Sequence, residues 1–269
     1  MSKIAFLDEE FLRSPEARGI RILSEVLKPD CFFQRFGIHS TIIVFGSARF
    51  FSADDAAKRL VEAESFCKTH GSNTESAAKL GAAKQAVVMS HYYEQAREFA
   101  RIVSEENLSR KKNVADNGHE YVICTGGGPG IMEAANRGAY EAGALSVGLN
   151  VKLPFEQIPN PYITPELCFQ FHYFSIRKLH FMLRAKALVV SPGGYGTFDE
   201  LFEALTLRQT NRMQAIPVIM FGEEFWRKCV NFDHLVESGV IDKEDLDLFK
   251  FTESPRDAWE MIKRFHGEE

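Results

Sequence analysis

The residues best placed for chemistry lie in one stretch, Pro192 to Glu200, which reads PGGYGTFDE. Gly193, Gly194 and Gly196 fall where a predicted strand gives way to a predicted helix. Glycine lets backbone N–H groups come close to an anion, and a helix start adds unpaired donors and the positive end of its dipole. A second cluster, TGGGPG at 125–130, has the same placement. Phosphate is therefore expected at one or both turns. The plain alternative is that such glycines only permit tight turns. Two clusters at strand ends of one sheet, where α/β ligands collect, weigh against it, although it stays open for TGGGPG.

Directly after PGGYGT come Asp199 and Glu200, carboxylates in the first turn of a helix, where acids favour the dipole whether or not they act. A functional carboxylate needs a partner. SIRK supplies Arg177 and Lys178 in the first turn of the preceding predicted helix. Consecutive helix starts in a parallel sheet lie at one edge, so Arg177 and Glu200 can converge on one pocket. Arg177 offers a planar fork and Lys178 a point charge; the competing reading is a solvated helix face.

Several chemistries are argued against. Counting GxGxxG from Gly126, Gly128 or Gly194 puts the third glycine on Ile131, Glu133 or Asp199, and the next strand ends in Asn150 with no acid for a ribose hydroxyl, so NAD and FAD do not fit. No GK[ST] completes a P-loop. His172 and His180 read as packing residues, no HExxH spacing occurs, and no metal is required. The five cysteines are widely spaced without a CxxC pair, which speaks against disulfides and zinc.

These residues need a scaffold, and the chain alternates to provide one. TIIVFG at 41–46 reads as a buried parallel strand. A helical region broken near Gly71 to Asn73 follows, then strand YVICTG, helix IMEAANRGAYEAG closed at Gly143, and strand LSVGLN. After a proline-punctuated loop come strand LCFQFHYF, a helix from Ser175, strand ALVVSP, helix FDELFEALTLRQ, strand IPVIMFG and a mainly helical tail. The fold class is α/β, a Rossmann-like doubly wound, mostly parallel sheet with helices on both faces. Residues 1–38 are read as an N-terminal helical extension and 39–269 as the Rossmann-like domain that carries the glycine turns and the Arg177–Glu200 pair. In the extension, Ser14 caps a helix starting at Pro15, Pro29 closes it, and CFFQRF packs on the main body.

With 269 residues, 45% hydrophobic and 26% charged, the chain has the composition of a folded domain. A net charge of −5 gives no field for a nucleic-acid polymer but leaves room for a small anion at a helix start. The N-terminus does not read as a secretory signal, no stretch reads as a membrane span, and the expected location is the cytoplasm.

At PGGYGTFDE and the Arg-Lys pair before it, the sequence resembles the Lonely Guy family of cytokinin-activating phosphoribohydrolases, long labelled possible lysine decarboxylases. The likeness extends to GSAR at 46–49, GGGPGIMEAANRGA at 126–139, LPFEQ at 153–157 and ELFEALTLRQ at 200–209, and the chain looks like the longer members. The resemblance implies hydrolysis of the N-glycosidic bond of a nucleoside 5′-monophosphate, AMP or an N6-modified AMP, to free base and ribose 5-phosphate, without a cofactor. It implies Arg177 and Glu200 as catalytic residues. Substrate would be bound by Gly46, Ser47, Gly127, Gly128, Glu156, Lys178, Thr206 and the run Gly193, Gly194, Tyr195, Gly196 and Thr197, and the assembly would be a homodimer or larger homo-oligomer. Two other classes compete. A non-catalytic nucleotide or cofactor carrier needs the glycines but not the carboxylate; a pyridoxal-dependent decarboxylase needs a Schiff-base lysine, for which Lys178 beside Arg177 is poorly suited.

Overall fold

The computed structural model describes residues 3–71, 73–111, 118–152 and 158–268. After a short 3-10 turn the chain forms α1 (Glu9–Arg13), α2 (Arg18–Arg35), β1 (Thr41–Phe45), α3 (Ala53–His70), α4 (Thr74–Lys111), β2 (Val122–Thr125), α5 (Ile131–Glu141), β3 (Ser146–Val151) and β4 (Cys168–Phe171). Then follow α6 (Phe174–Leu183), β5 (Ala185–Val190), α7 (Tyr195–Gln209), β6 (Val218–Phe221), α8 (Glu223–Cys229), α9 (Phe232–Glu237), β7 (Lys250–Thr252) and α10 (Pro255–His266).

The seven strands form one sheet in the order β4-β3-β2-β1-β5-β6-β7, and every pairing is parallel. Strands covered on both faces read as near-continuous apolar runs; β1, β2 and β6 are buried along their whole length, with Thr41 and Thr125 their polar residues. One face packs against α4, α5 and α10 through Tyr93, Phe99, Ile131 and Trp259. The other packs against α2, α6, α7 and α8 through Phe33, Phe181, Leu201 and Trp226. Among the described residues no helix is long and apolar enough to cross a membrane.

The helical region after β1 breaks where expected, with α3 ending at His70 and α4 starting at Thr74. Cys67 Sγ meets Ser76 O across that break at 3.3 Å. Gly143 takes the left-handed conformation just beyond α5 that a helix C-terminus favours.

Three details differ from the sequence reading. α2 starts at Arg18, Ser14 instead ends α1, and the helix runs through Pro29 to Arg35. Pro29 lacks an N–H for the Glu25 carbonyl four residues back, but His180 Nε2 meets that carbonyl at 2.9 Å, so no buried acceptor is stranded. The CFFQRF segment is thus helical, and it does pack on the body, with Phe33 edge-on to Phe169 at 5.7 Å. α7 begins at Tyr195, three residues before Phe198, because Gly194 already serves as its N-cap. The tail also contributes the short strand β7, which pairs with β6.

The close approach of α5 to α4 depends on Gly138 of α5, where a Cβ would come within 2.0 Å of the Arg97 carbonyl oxygen of α4. A backbone atom cannot rotate aside. Replacing Gly138 with Ala is expected to destabilise the protein by about 1–3 kcal/mol, the usual cost of overpacking, measured as a shift in the denaturant midpoint; an unchanged midpoint would mean the two helices can separate freely.

Candidate active site at the switch point of the sheet

The order of the strands reverses between β1 and β5: the chain leaves β1 toward β2 but leaves β5 toward β6. The loops after these two strands therefore part and open a crevice at their C-terminal ends. A cleft of about 540 Å³ lies there, walled by Phe45–Arg49, Gly126, Met132, Arg177, Gly194–Thr197 and Glu200, within the size range of small-ligand sites.

The loops forming the walls are tied together by Ser47. Its N–H donates to Pro192 O at 3.0 Å, and its carbonyl accepts from Ile131 N, the first residue of α5, at 3.0 Å. Its hydroxyl accepts from Arg49 N at 3.1 Å. The β1 loop is thus anchored to both glycine turns. Gly46 lies against Ile131 with no room for a side chain, and Gly193 makes space for Thr197, whose Oγ1 would stand 2.1 Å from a Cβ there.

Arg177 of α6 and Glu200 of α7 meet in the cleft wall, Nη2 to Oε1 at 3.1 Å, with each side chain only 12% exposed. The guanidinium also lies over Phe174 and Phe181, 4.9 and 5.7 Å from the ring centres. Burial pushes the Glu200 carboxyl up to about 7; Arg177 pulls against that rise and Asp199 adds to it. Burial likewise lowers the Arg177 guanidinium, opposed by Glu200. A carboxyl near neutrality beside a held cation can stabilise developing positive charge and can accept a proton from water.

Lys178 and Asp199 form a separate pair. Lys178 Nζ stands 2.9 Å from Asp199 and 3.3 Å from Glu203, outside the cleft lining. Adjacent helical residues point about 100° apart, so the two neighbouring pairs sort onto different faces. Burial pulls the Lys178 ammonium down, but the two carboxylates outweigh it and the net shift is upward.

Of the residues expected from the sequence, the cleft brings together Arg177, Glu200, Gly46, Ser47, Gly194, Tyr195, Gly196 and Thr197. Gly193 supports the turn from behind. Gly127 and Gly128 are buried next to the cleft rather than in its lining: Gly127 N donates to Thr125 Oγ1, and the carbonyls of Gly127 and Gly128 accept from the backbone N–H and the Nδ2 of Asn160. Thr206 is exposed on α7, its hydroxyl donating to Phe202 O at 2.7 Å. Glu156 lies outside the described residues, as does the rest of LPFEQ. Arg49 and Met132 were not expected. GSAR marked the loop holding Arg49, but its cation alone carried no signal.

A carboxyl raised by folding gives a signed stability effect. The contribution from protonated Glu200 is fully present below the ordinary carboxyl range near 4.5 and is lost as pH rises through about 7. Unfolding free energy of the native protein should therefore fall relative to Glu200→Gln between those limits, as chemical denaturation across pH would show; parallel curves would mean that Glu200 titrates normally.

A rice protein (Oryza sativa subsp. japonica) described as a probable cytokinin riboside 5′-monophosphate phosphoribohydrolase is 26% identical over 128 residues, 45% of this chain and 57% of the relative. The chain thus matches little more than half the length of that relative. Among solved structures, a molybdenum cofactor binding protein from Rippkaea orientalis aligns with TM-score 0.44 at 18% identity, over 65% of this chain and 87% of the other. The Moco carrier protein from Chlamydomonas reinhardtii aligns with TM-score 0.45 at 18% identity, over 86% and 99%. Residues 132–262, which contain Arg177, Glu200 and the whole PGGYGT turn, match the family described as "Possible lysine decarboxylase".

Proposed function

We propose that this chain hydrolyses the N-glycosidic bond of a nucleoside 5′-monophosphate, releasing the base and ribose 5-phosphate. The observation that carries the reading is the Arg177–Glu200 contact inside a cleft that also contains the open N-terminus of α7. Cleavage of such a bond builds oxocarbenium-like charge on the sugar, so it needs a carboxylate near C1′ and a firm hold on the phosphate. Both lie on α7. Its first N–H groups, at Tyr195 to Thr197, and the Thr197 hydroxyl receive the phosphate. Glu200, about 4.5 Å further along the axis, faces the anomeric carbon, stabilises its charge and deprotonates the attacking water. Arg177 orients that carboxylate and assists departure of the base.

Adenine nucleotides, plain or N6-substituted as the printed name of the rice relative suggests, are the first candidates, and a homo-oligomer is the assembly we expect. Thr206 and Lys178, on the outer face of α7 and α6, would contribute from that side. Decarboxylation receives no support from Lys178. A Schiff-base lysine acts as a neutral amine, whereas this one is paired with two carboxylates and held protonated.

Incubation with AMP, GMP, CMP, UMP and an N6-substituted AMP, followed by chromatography, should show free base and ribose 5-phosphate from the wild type. Glu200→Gln should lose roughly 10²-fold or more in kcat while still binding nucleotide. Binding without base release by the wild type would favour a carrier, and release of inorganic phosphate would point to a phosphatase.

Because Glu200 acts ionised and its carboxyl is pushed up to about 7, kcat/KM should rise with pH through about 7 and level off above it. A profile flat from about one and a half pH units below that midpoint to the same distance above it would remove Glu200 from the base role.

A further inference from the structure

α6 presents Arg177, and α2 holds α6 at both ends. At the start, the Glu25 carboxylate accepts from the backbone N–H groups of His172 at 2.8 Å and Tyr173 at 3.2 Å. Tyr173 is the N-cap of α6 and offers no side-chain cap of its own. A carboxylate reaching in from another helix thus does the work of a cap and meets the positive end of the dipole. In the middle, His180 Nε2 donates to the Glu25 carbonyl that Pro29 leaves free. His180 is 2% exposed, and burial holds its imidazole below the ordinary range, opposed by that same carbonyl. The neutral ring has one N–H, and this contact assigns it to Nε2. At the far end, Arg184, the C-cap of α6, pairs with Asp30.

Arg177 lies between these three attachments, one helical turn beyond Tyr173, to whose carbonyl its N–H donates at 3.2 Å. A small rotation of α6 would carry the guanidinium off Glu200, because a side chain at this radius swings further than the backbone that turns it. No other described contact attaches the two N–H groups before α6.

We infer that α2 is a positioning clamp for the active site, in which Glu25 is the key positioning residue and Asp30 secures the opposite end, so that Arg177 is presented to Glu200. The inference rests on the proposed hydrolase reading for its effect on turnover, but the geometry it asserts can be read without turnover. Glu200 faces Arg177 and Lys178, which favour its ionised form, and Asp199 and Glu203, which favour the protonated form, on top of burial. Only Arg177 depends on the clamp for contact with Glu200 inside the cleft.

The experiment follows the Glu200 carboxyl by 13C NMR of the full-length, glutamate-labelled protein across pH, with Glu200→Gln assigning the signal. In Glu25→Ala the titration midpoint should rise by about one unit, a tenfold change in the ratio of ionised to protonated carboxyl, because Arg177 no longer holds the charge. Glu25→Gln keeps one acceptor oxygen for one of the two N–H groups that Oε1 and Oε2 divide between them, and its midpoint should move less than that of Glu25→Ala. If Glu25→Ala does not fold, Arg184→Gln, which frees the other end of α6, carries the same expectation. On nucleotide, Glu25→Ala should lose kcat with KM little changed, since the phosphate is held by α7. A variant that melts at lower temperature but leaves the Glu200 midpoint and kcat untouched would overturn the inference and make α2 mere packing. Failure of the wild type to release base would count against the hydrolase reading alone, while the titration would still judge the clamp.

Discussion

A guanidinium and a carboxylate removed from water together set the terms for this fold. Stripping either ion of its hydration costs several kcal/mol, and their attraction repays this only when the remaining hydrogen-bonding capacity is used. Here it is not fully used. Arg177 Nε is buried without a hydrogen-bond partner among the described residues, and the Glu200 carboxyl leans toward its neutral form. Two well-packed apolar side chains would hold α6 to α7 at lower cost. A pair that stabilises so poorly belongs to the site, and the surrounding structure has to enforce it.

That enforcement comes from the sheet. β1 and β5 are neighbours whose chains depart in opposite directions, and such a parting leaves a crevice no helix fills. Ser47 keeps the crevice from spreading, because one residue joins the β1 loop to Pro192 on one side and to Ile131 on the other. Beneath the second glycine turn, Thr125, Asn136 and Asn160 form a buried, mutually bonded group. Such a group is stabilising when every member is satisfied and costly otherwise, so TGGGPG reads here as a built support, with Gly126 alone of its three adjacent glycines in the cleft lining. The two glycine turns look alike in sequence, yet one presents donors to the cleft and the other spends them on its own neighbours.

Much of this was legible without coordinates. TIIVFG and ALVVSP are apolar runs bounded by turns, and a strand buried on both faces leaves no other pattern. Convergence of Arg177 and Glu200 followed from parallel topology alone. The 3.6-residue period could also have separated Lys178 and Asp199 from them, since neighbours on a helix cannot share a face. Other features depended on partners distant in sequence. Pro29 inside α2 is tolerated because a histidine 151 residues away accepts the task of its missing N–H, and no local rule carries that information. The strand Lys250–Thr252 has three residues, too few for any period to show, and exists because β6 offers an edge.

The balance of charge in the cleft explains why the anion-binding end and the carboxylate need separate places on one helix. A phosphate close to Glu200 would oppose ionisation of a carboxyl already raised by burial, and would leave the base protonated when it is needed. On the proposed reading the α7 N-terminus draws the phosphate to the mouth of the cleft. Arg49, which makes no ion pair among the described residues, stands in the same wall. Arg177 lies at the inner end, over Phe174 and Phe181 and against Glu200. Its position therefore matters more than its charge: the same cation at the mouth would strengthen phosphate binding and surrender the carboxylate. This is why the rigidity of α6, and the helix braced against it, bears on chemistry that neither element performs alone.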